Sequence, residues 1–283
     1  MKIDAHQHVW RIARGDYGWL TPALAPLYRD FSLDDLRPHL AQAGIGGTVL
    51  VQAAPTEAET RFMLDVAGAS GGLVKAVVGW VDMMATDAPD RIAKLAADPL
   101  LRGIRPMIQD IADPDWMLDR RLDPAFRTLI ELGLCFDALV KPPHLANLRR
   151  LLERYPDLPV VVDHGAKPAI ASGVREPWAA DLAAIARENR AWCKLSGLVT
   201  EARDDWRVET LRPYVDHLLA SFGPSRLIWG SDWPVVDLAG GYGRWRQASD
   251  RLLSGLLPAD RERVEGLNAT LFYGLPGEGP DRR

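Results

Sequence analysis

Eight short runs rich in Val, Ile and Leu recur along this chain, and stretches of helical periodicity separate them. The runs fall at residues 2–9, 47–52 (GTVLVQ), 73–81 (LVKAVVGWV), 103–108 (GIRPMI), 134–140 (LCFDALV), 158–163 (LPVVVD), 191–195 (AWCKL) and 226–229 (RLIW). Continuous apolar runs of this length suit parallel strands covered on both faces. Helical periodicity occupies 33–43, 57–67, 88–97, 124–132, 144–153, 178–188 and 212–222. Leu33, Leu36 and Leu40 share one face and stop at Gly44, while Leu145, Leu148, Leu151 and Leu152 form a single stripe. Gly or Pro punctuates most boundaries, as at Gly133, Pro156, Pro159 and Gly223. Eight strands joined by seven helical crossovers predict a closed (β/α)8 TIM barrel. No glycine-rich phosphate fingerprint follows the first run, which argues against an open nucleotide-binding sheet.

A length of 283 residues fits one such barrel and buries a full core without staples. The expected domain spans 1–274, with a frayed tail over 275–283. A net charge of -4 gives no basic footprint for nucleic acid and no polybasic surface for anionic lipid. The N-terminal MKIDAHQHVWR has no apolar h-region, and no run approaches about 18 apolar residues, so neither a signal peptide nor a membrane span is expected. The two cysteines, Cys135 and Cys193, sit in strand-like runs and read as buried core thiols in a reducing cytoplasm. The oligomeric state is left open, a homo-oligomer included.

Three signals carry chemistry. In Asp4-Ala5-His6-Gln7-His8, strand alternation puts His6 and His8 on one face and Ala5 and Gln7 on the other. At the C-terminal end of a barrel strand, two imidazoles on the inner face can bind a divalent cation; two hydrogen-bonded interior histidines are the plainer reading. His164, beside Gly165, ends the sixth run, where it either faces a ligand or caps a turn. Asp232 ends the eighth run in Gly230-Ser231-Asp232-Trp233-Pro234, where a carboxylate needs a cation or donors, or else caps a helix. Asp163 precedes His164 by one residue and is expected on the opposite face of its strand.

Together DAHQHVW, DHGAKP, CKLSGL and GSDWP resemble the amidohydrolase superfamily. More narrowly, they resemble its lactonase branch, which opens sugar lactones and 2-pyrone-4,6-dicarboxylate. The resemblance runs from Lys2 to about Tyr273. It implies that His6, His8, His164 and Asp232 surround one divalent metal ion, expected to be zinc, with Asp232 as general base and His164 beside it. No lysine occurs in the fourth run, and Lys141 is followed by two prolines without a strand-5 histidine, so a two-metal bridge is not expected. Candidate substrate contacts are Trp10, Gln52, Arg105, Gln109, Lys194 and Trp233. Arg105 can fork onto oxygens or serve a structural ion pair; Lys194 can polarise substrate or pair with Asp232. The implied activity is opening of a small aldono-lactone, such as L-fucono-lactone, to the sugar acid. The alternatives are a 2-pyrone-4,6-dicarboxylate-type lactonase, a metal-dependent decarboxylase of the superfamily, or a non-catalytic sugar-binding barrel.

Overall fold

The computed structural model describes residues 1–275, and its eight strands pair in sequence order, every neighbour parallel. They are β1 (Lys2–Gln7), β2 (Ile45–Val51), β3 (Val74–Gly79), β4 (Leu101–Ile104), β5 (Cys135–Ala138), β6 (Val160–Val162), β7 (Trp192–Leu195) and β8 (Leu227–Trp229). The β8 side meets β1 through rim hydrogen bonds, with Gln7 bridging Trp233, so the sheet closes into a single (β/α)8 barrel. Helices α1 (Leu33–Ala43), α2 (Glu57–Gly68), α3 (Ala88–Ala96), α4 (Asp123–Leu132), α5 (Leu145–Arg154), α6 (Trp178–Glu188) and α7 (Val208–Phe222) make the crossovers. Local chemistry sets their ends. Ser32 and Asp35 form a capping box at the start of α1, and Gly44, at φ 65°, closes it in the left-handed conformation.

Two apolar layers follow. Side chains between sheet and helices form the larger core. Inside the barrel, Ile3, Ala5, Val49, Val51, Ala76, Val78, Cys135, Val161 and Ile228 fill the N-terminal half. After β8 come α8 (Gly241–Leu252), α9 (Pro258–Glu262) and α10 (Asn268–Tyr273), which the helical periodicity did not reveal. The stripe that α8 buries includes Arg246 and Ser249 beside Tyr242 and Trp245, so it carries little apolar rhythm. From α10, Ala269 and Tyr273 plug the barrel floor, and Leu275 is buried there too. The rest of the expected tail, 276–283, lies outside the described residues.

Three strand ends differ from expectation in ways that shape the site. β1 pairs Asp4 with Thr48 but Gln7 with Leu50, so one extra residue bulges in β1. Ala5 therefore stays with Ile3 in the inner layer, although simple alternation put it on the outer face; His6 and His8 still turn inward. β4 ends at Ile104 because Pro106 has no N–H to donate, and Arg105 makes the last ladder bond to Gly79. β6 ends at Val162, and His164 and Gly165 take left-handed conformations at φ 54° and 56°.

Candidate active site

The seam between first and last strands builds the site. The Asp232 N–H donates to the His6 carbonyl at 2.8 Å, and the His8 N–H to the Trp233 carbonyl at 2.7 Å. Buried Asp4 clamps the seam, accepting from the Ser231 N–H at 2.8 Å and the Tyr242 hydroxyl at 3.1 Å. Burial raises its carboxyl to about 6 despite those donors. Asp232 and His164 both hold positive φ, 60° and 54°, which costs a non-glycine residue about 1–3 kcal/mol. Two glycines make room for the rings. A Cβ on Gly230 would lie 2.7 Å from the His6 Cβ, and one on Gly197 would lie 2.4 Å from His164 Nδ1.

Four side chains converge at the C-terminal mouth. Asp232 Oδ1 lies 3.3 Å from His8 Nε2, 3.7 Å from His6 Nε2 and 3.8 Å from His164 Nε2. Zinc ligands about 2.0–2.2 Å from a shared tetrahedral ion stand roughly 3.3–3.6 Å from one another, so these separations fit a cation. The tautomer of His8 strengthens the case. Its Nδ1 is 2.7 Å from the Val51 carbonyl, which only accepts, so Nδ1 carries a proton and Nε2 is the nitrogen left facing Asp232. Two acceptors at 3.3 Å require a cation or a shared proton between them. His164 Nδ1 is fixed by Ser196 Oγ at 2.9 Å, leaving Nε2 toward the same point. Burial lowers His164 to about 4, partly offset by Asp232, and keeps it neutral. Burial alone would raise Asp232, but His164, His8 and His6 outweigh it and hold the carboxyl below its ordinary range. Among the described residues, His6, His8 and Asp232 bring one ligand atom each close enough together to hold a metal ion.

A polar layer beneath the mouth contradicts two expectations. Asp163 does not point away. It faces inward, with Oδ1 3.0 Å from Lys194 Nζ and Oδ2 3.1 Å from an Arg105 nitrogen, because the left-handed turn lets His164 reach the same interior. Lys194 does not pair with Asp232. It is fully buried and bonds Asp137 at 2.6 Å and His6 Nδ1 at 3.0 Å, away from the cavity wall. Burial raises Asp137, whereas Asp163, despite its burial, is held far down by Lys194 and His6. Burial and the Lys194 ammonium both lower His6.

The site opens into a cavity of about 270 Å³. Of the substrate candidates, Arg105 and Gln109 line it with His8, His164 and Asp232. Gln52 lies behind, donating to the Arg105 carbonyl at 2.8 Å and receiving the guanidinium on its own carbonyl. Trp10 and Trp233 are buried in an aromatic cluster with Phe31 and do not reach the cavity. Trp19 does, with its indole N–H on the Ala53 carbonyl at 2.7 Å; its loop position gave no signal in the sequence. Lys167, within the DHGAKP motif, also lines the wall and pairs with Glu201 at 3.6 Å.

A parallel eight-stranded barrel with a His-x-His pair on its first strand and an aspartate closing its last is the architecture of a metal-binding hydrolase family. The chain belongs to that family, the amidohydrolases, whose profile matches residues 3–275. An L-fucono-1,5-lactonase from Burkholderia ambifaria is 48% identical, the match covering 99% of this chain and 98% of that one. An L-fucono-1,5-lactonase from Burkholderia multivorans is 35% identical over 98% of this chain and 97% of its own. A crystal structure of an amidohydrolase from Burkholderia multivorans with bound zinc is 35% identical and superposes with a TM-score of 0.92, covering 98% of this chain and 100% of that one.

Proposed function

We propose that this protein hydrolyses the ester of a small aldono-lactone, of the L-fucono-1,5-lactone class, to the open-chain sugar acid. One observation carries the reading: the Asp232 carboxylate meets three imidazoles at the floor of a single-ring-sized cavity. The 48% identity to a fuconolactonase supports the substrate class. The ion is zinc, as the imidazole-rich donor set and the zinc-bound relative suggest, and there is one. His6, Asp163 and His164 offer donors for a second, but Lys194 already holds both His6 Nδ1 and Asp163. Lys141, far from bridging metals, donates to the Gln109 carbonyl at 3.2 Å. When bound, the cation polarises the ester carbonyl and acidifies the attacking water.

The protein's own groups handle the proton. Asp232, held ionised by its imidazole neighbours, accepts a proton as the water oxygen adds to the lactone carbonyl carbon. As the ring C–O bond breaks, that proton passes to the departing alkoxide, leaving a hydroxyl and a carboxylic acid that ionises in water. His164 stays neutral, with its Nε2 3.8 Å from Asp232 Oδ1. Gln109 Oε1 is buried and has no partner among the described residues, so it can accept from a sugar hydroxyl. Arg105 and Lys167 are each committed to a carboxylate, and Asp110 stands on the same wall. That balance favours an uncharged lactone over a dicarboxylated pyrone. The buried thiols Cys135 and Cys193 fit work in the cytoplasm, in carbohydrate metabolism.

A pH-indicator assay over aldono-lactones, 2-pyrone-4,6-dicarboxylate and aromatic carboxylates, with and without chelator, tests the reading. The expected result is fastest turnover on a neutral sugar lactone. Turnover confined to the pyrone or to decarboxylation overturns it.

A further inference from the structure

A second and larger cavity, about 520 Å³, opens on the same face of the barrel. It shares Trp19, Met107 and Asp110 with the catalytic cavity, so the two chambers have a common wall. Its remaining surface comes from the loops after β1, β2, β3 and β4, chiefly Trp80, Met83 and Trp116. Nothing in the lactone-opening chemistry uses it.

We propose that this chamber is a substrate subsite for an uncharged apolar group, alkyl or aryl, carried on the lactone ring. The inference rests on the lactone-hydrolase reading and extends its substrate class beyond a single sugar ring. Indoles and thioethers give a broad, deformable apolar surface with little stored hydrogen-bonding capacity. The charged groups at its margin are all carboxylates, and each has one oxygen engaged. Asp16 Oδ2 holds Arg14 at 2.7 Å and Thr56 at 2.8 Å. Asp82 accepts the Met84 N–H at 3.0 Å, and Asp110 accepts from Gln109 at 3.2 Å. Asp16 is neutralised by Arg14, but Asp82 and Asp110 have no ion-pair partner among the described residues and repel an anionic substituent. An apolar chain needs no hydrogen-bond partner there and gains by leaving water.

The test uses δ-lactones with linear alkyl chains of increasing length on the carbon next to the ring oxygen, with the unsubstituted ring, a carboxylate-ended chain and a glycosylated lactone as comparisons. The kcat/KM is expected to rise about threefold per added methylene up to the chamber's length, and to fall when the chain ends in a carboxylate. Trp116→Ala, outside the catalytic cavity, flattens the rise while leaving the unsubstituted lactone at wild-type rate, which also shows that the variant folds. Hydrolysis of the bare ring without any chain-length trend overturns the subsite. A gain for the glycosylated lactone alone overturns it in favour of a sugar subsite. Tryptophan-fluorescence titration of Asp232→Asn reads the chamber without turnover. If no lactone is hydrolysed, the catalytic reading fails, and a Kd that ignores chain length overturns the subsite independently.

Discussion

The backbone N–H of Asp232 donates to the carbonyl of His6 at 2.8 Å, so the proposed base and the first proposed metal ligand are joined through main chain before their side chains meet. Register across this seam, and not side-chain flexibility, sets the distance between carboxylate and imidazole.

Asp232→Asn keeps the shape, and asparagine accepts the left-handed backbone that φ 60° demands. The expected result is a fall in kcat of roughly 10²–10⁴ with an unchanged melting temperature. Metal content is measured on the same sample. A metal-replete variant with near wild-type kcat would remove Asp232 as the base and turn attention to His164.

Joint replacement of His6 and His8 by Ala removes two of the four converging donors. Elemental analysis is expected to find less than about a tenth of the wild-type metal, since both rings are proposed as direct ligands. Undiminished metal in the double variant would place the ion elsewhere.

Gly197→Ala and Gly173→Ala separate backbone strain from ring collision. Both positions have positive φ, 60° and 72°, so each variant is expected to lose about 1 kcal/mol or more. Only at Gly197 would the new methyl press on His164; at Gly173 nothing lies within 4 Å. The expected outcome is a kcat loss of about 10²-fold at Gly197 and none at Gly173. Equal effects in both would show that His164 can move without consequence.

Glu59 offers a pH-dependence remote from the metal. Burial raises its carboxyl from 4.5 to about 7, although it accepts the Ala53 and Ala54 backbone N–H groups. A carboxyl raised on folding supports the folded state below its unfolded pKa, and that support is lost as pH rises toward the folded value. Urea unfolding from pH 4.5 to 8 should therefore show wild type losing up to about 3 kcal/mol relative to Glu59→Gln. A flat difference across that window would mean that Glu59 is ionised throughout.

The barrel was legible because parallel strands bury both faces and write themselves as apolar runs. The converging four were legible because each stands at the end of such a run. Legibility failed where the backbone leaves regular geometry. The β1 bulge hides the inward turn of Ala5, and the left-handed turn at His164 breaks the alternation used to dismiss Asp163. Trp10 and Trp233 adjoin the ligands in sequence, yet they point into the packing around Phe31, while the wall is supplied by Trp19 from a loop with no periodicity. Lys194 ends a strand as expected, but its partner Asp137 comes from β5, a pairing that only closure of the barrel creates.

The Tyr273 hydroxyl, rising from α10 through the barrel floor, donates to Asp137 at 2.7 Å and so joins the charged layer that supports His6. A ribosome delivers this side chain after every strand has emerged. The support for His6 is therefore complete only once residue 273 has been made. Premature termination before residue 273 would yield all eight strands and every proposed metal ligand, but with a breached floor, so the integrity of the mouth is vouched for by a helix made after all of them.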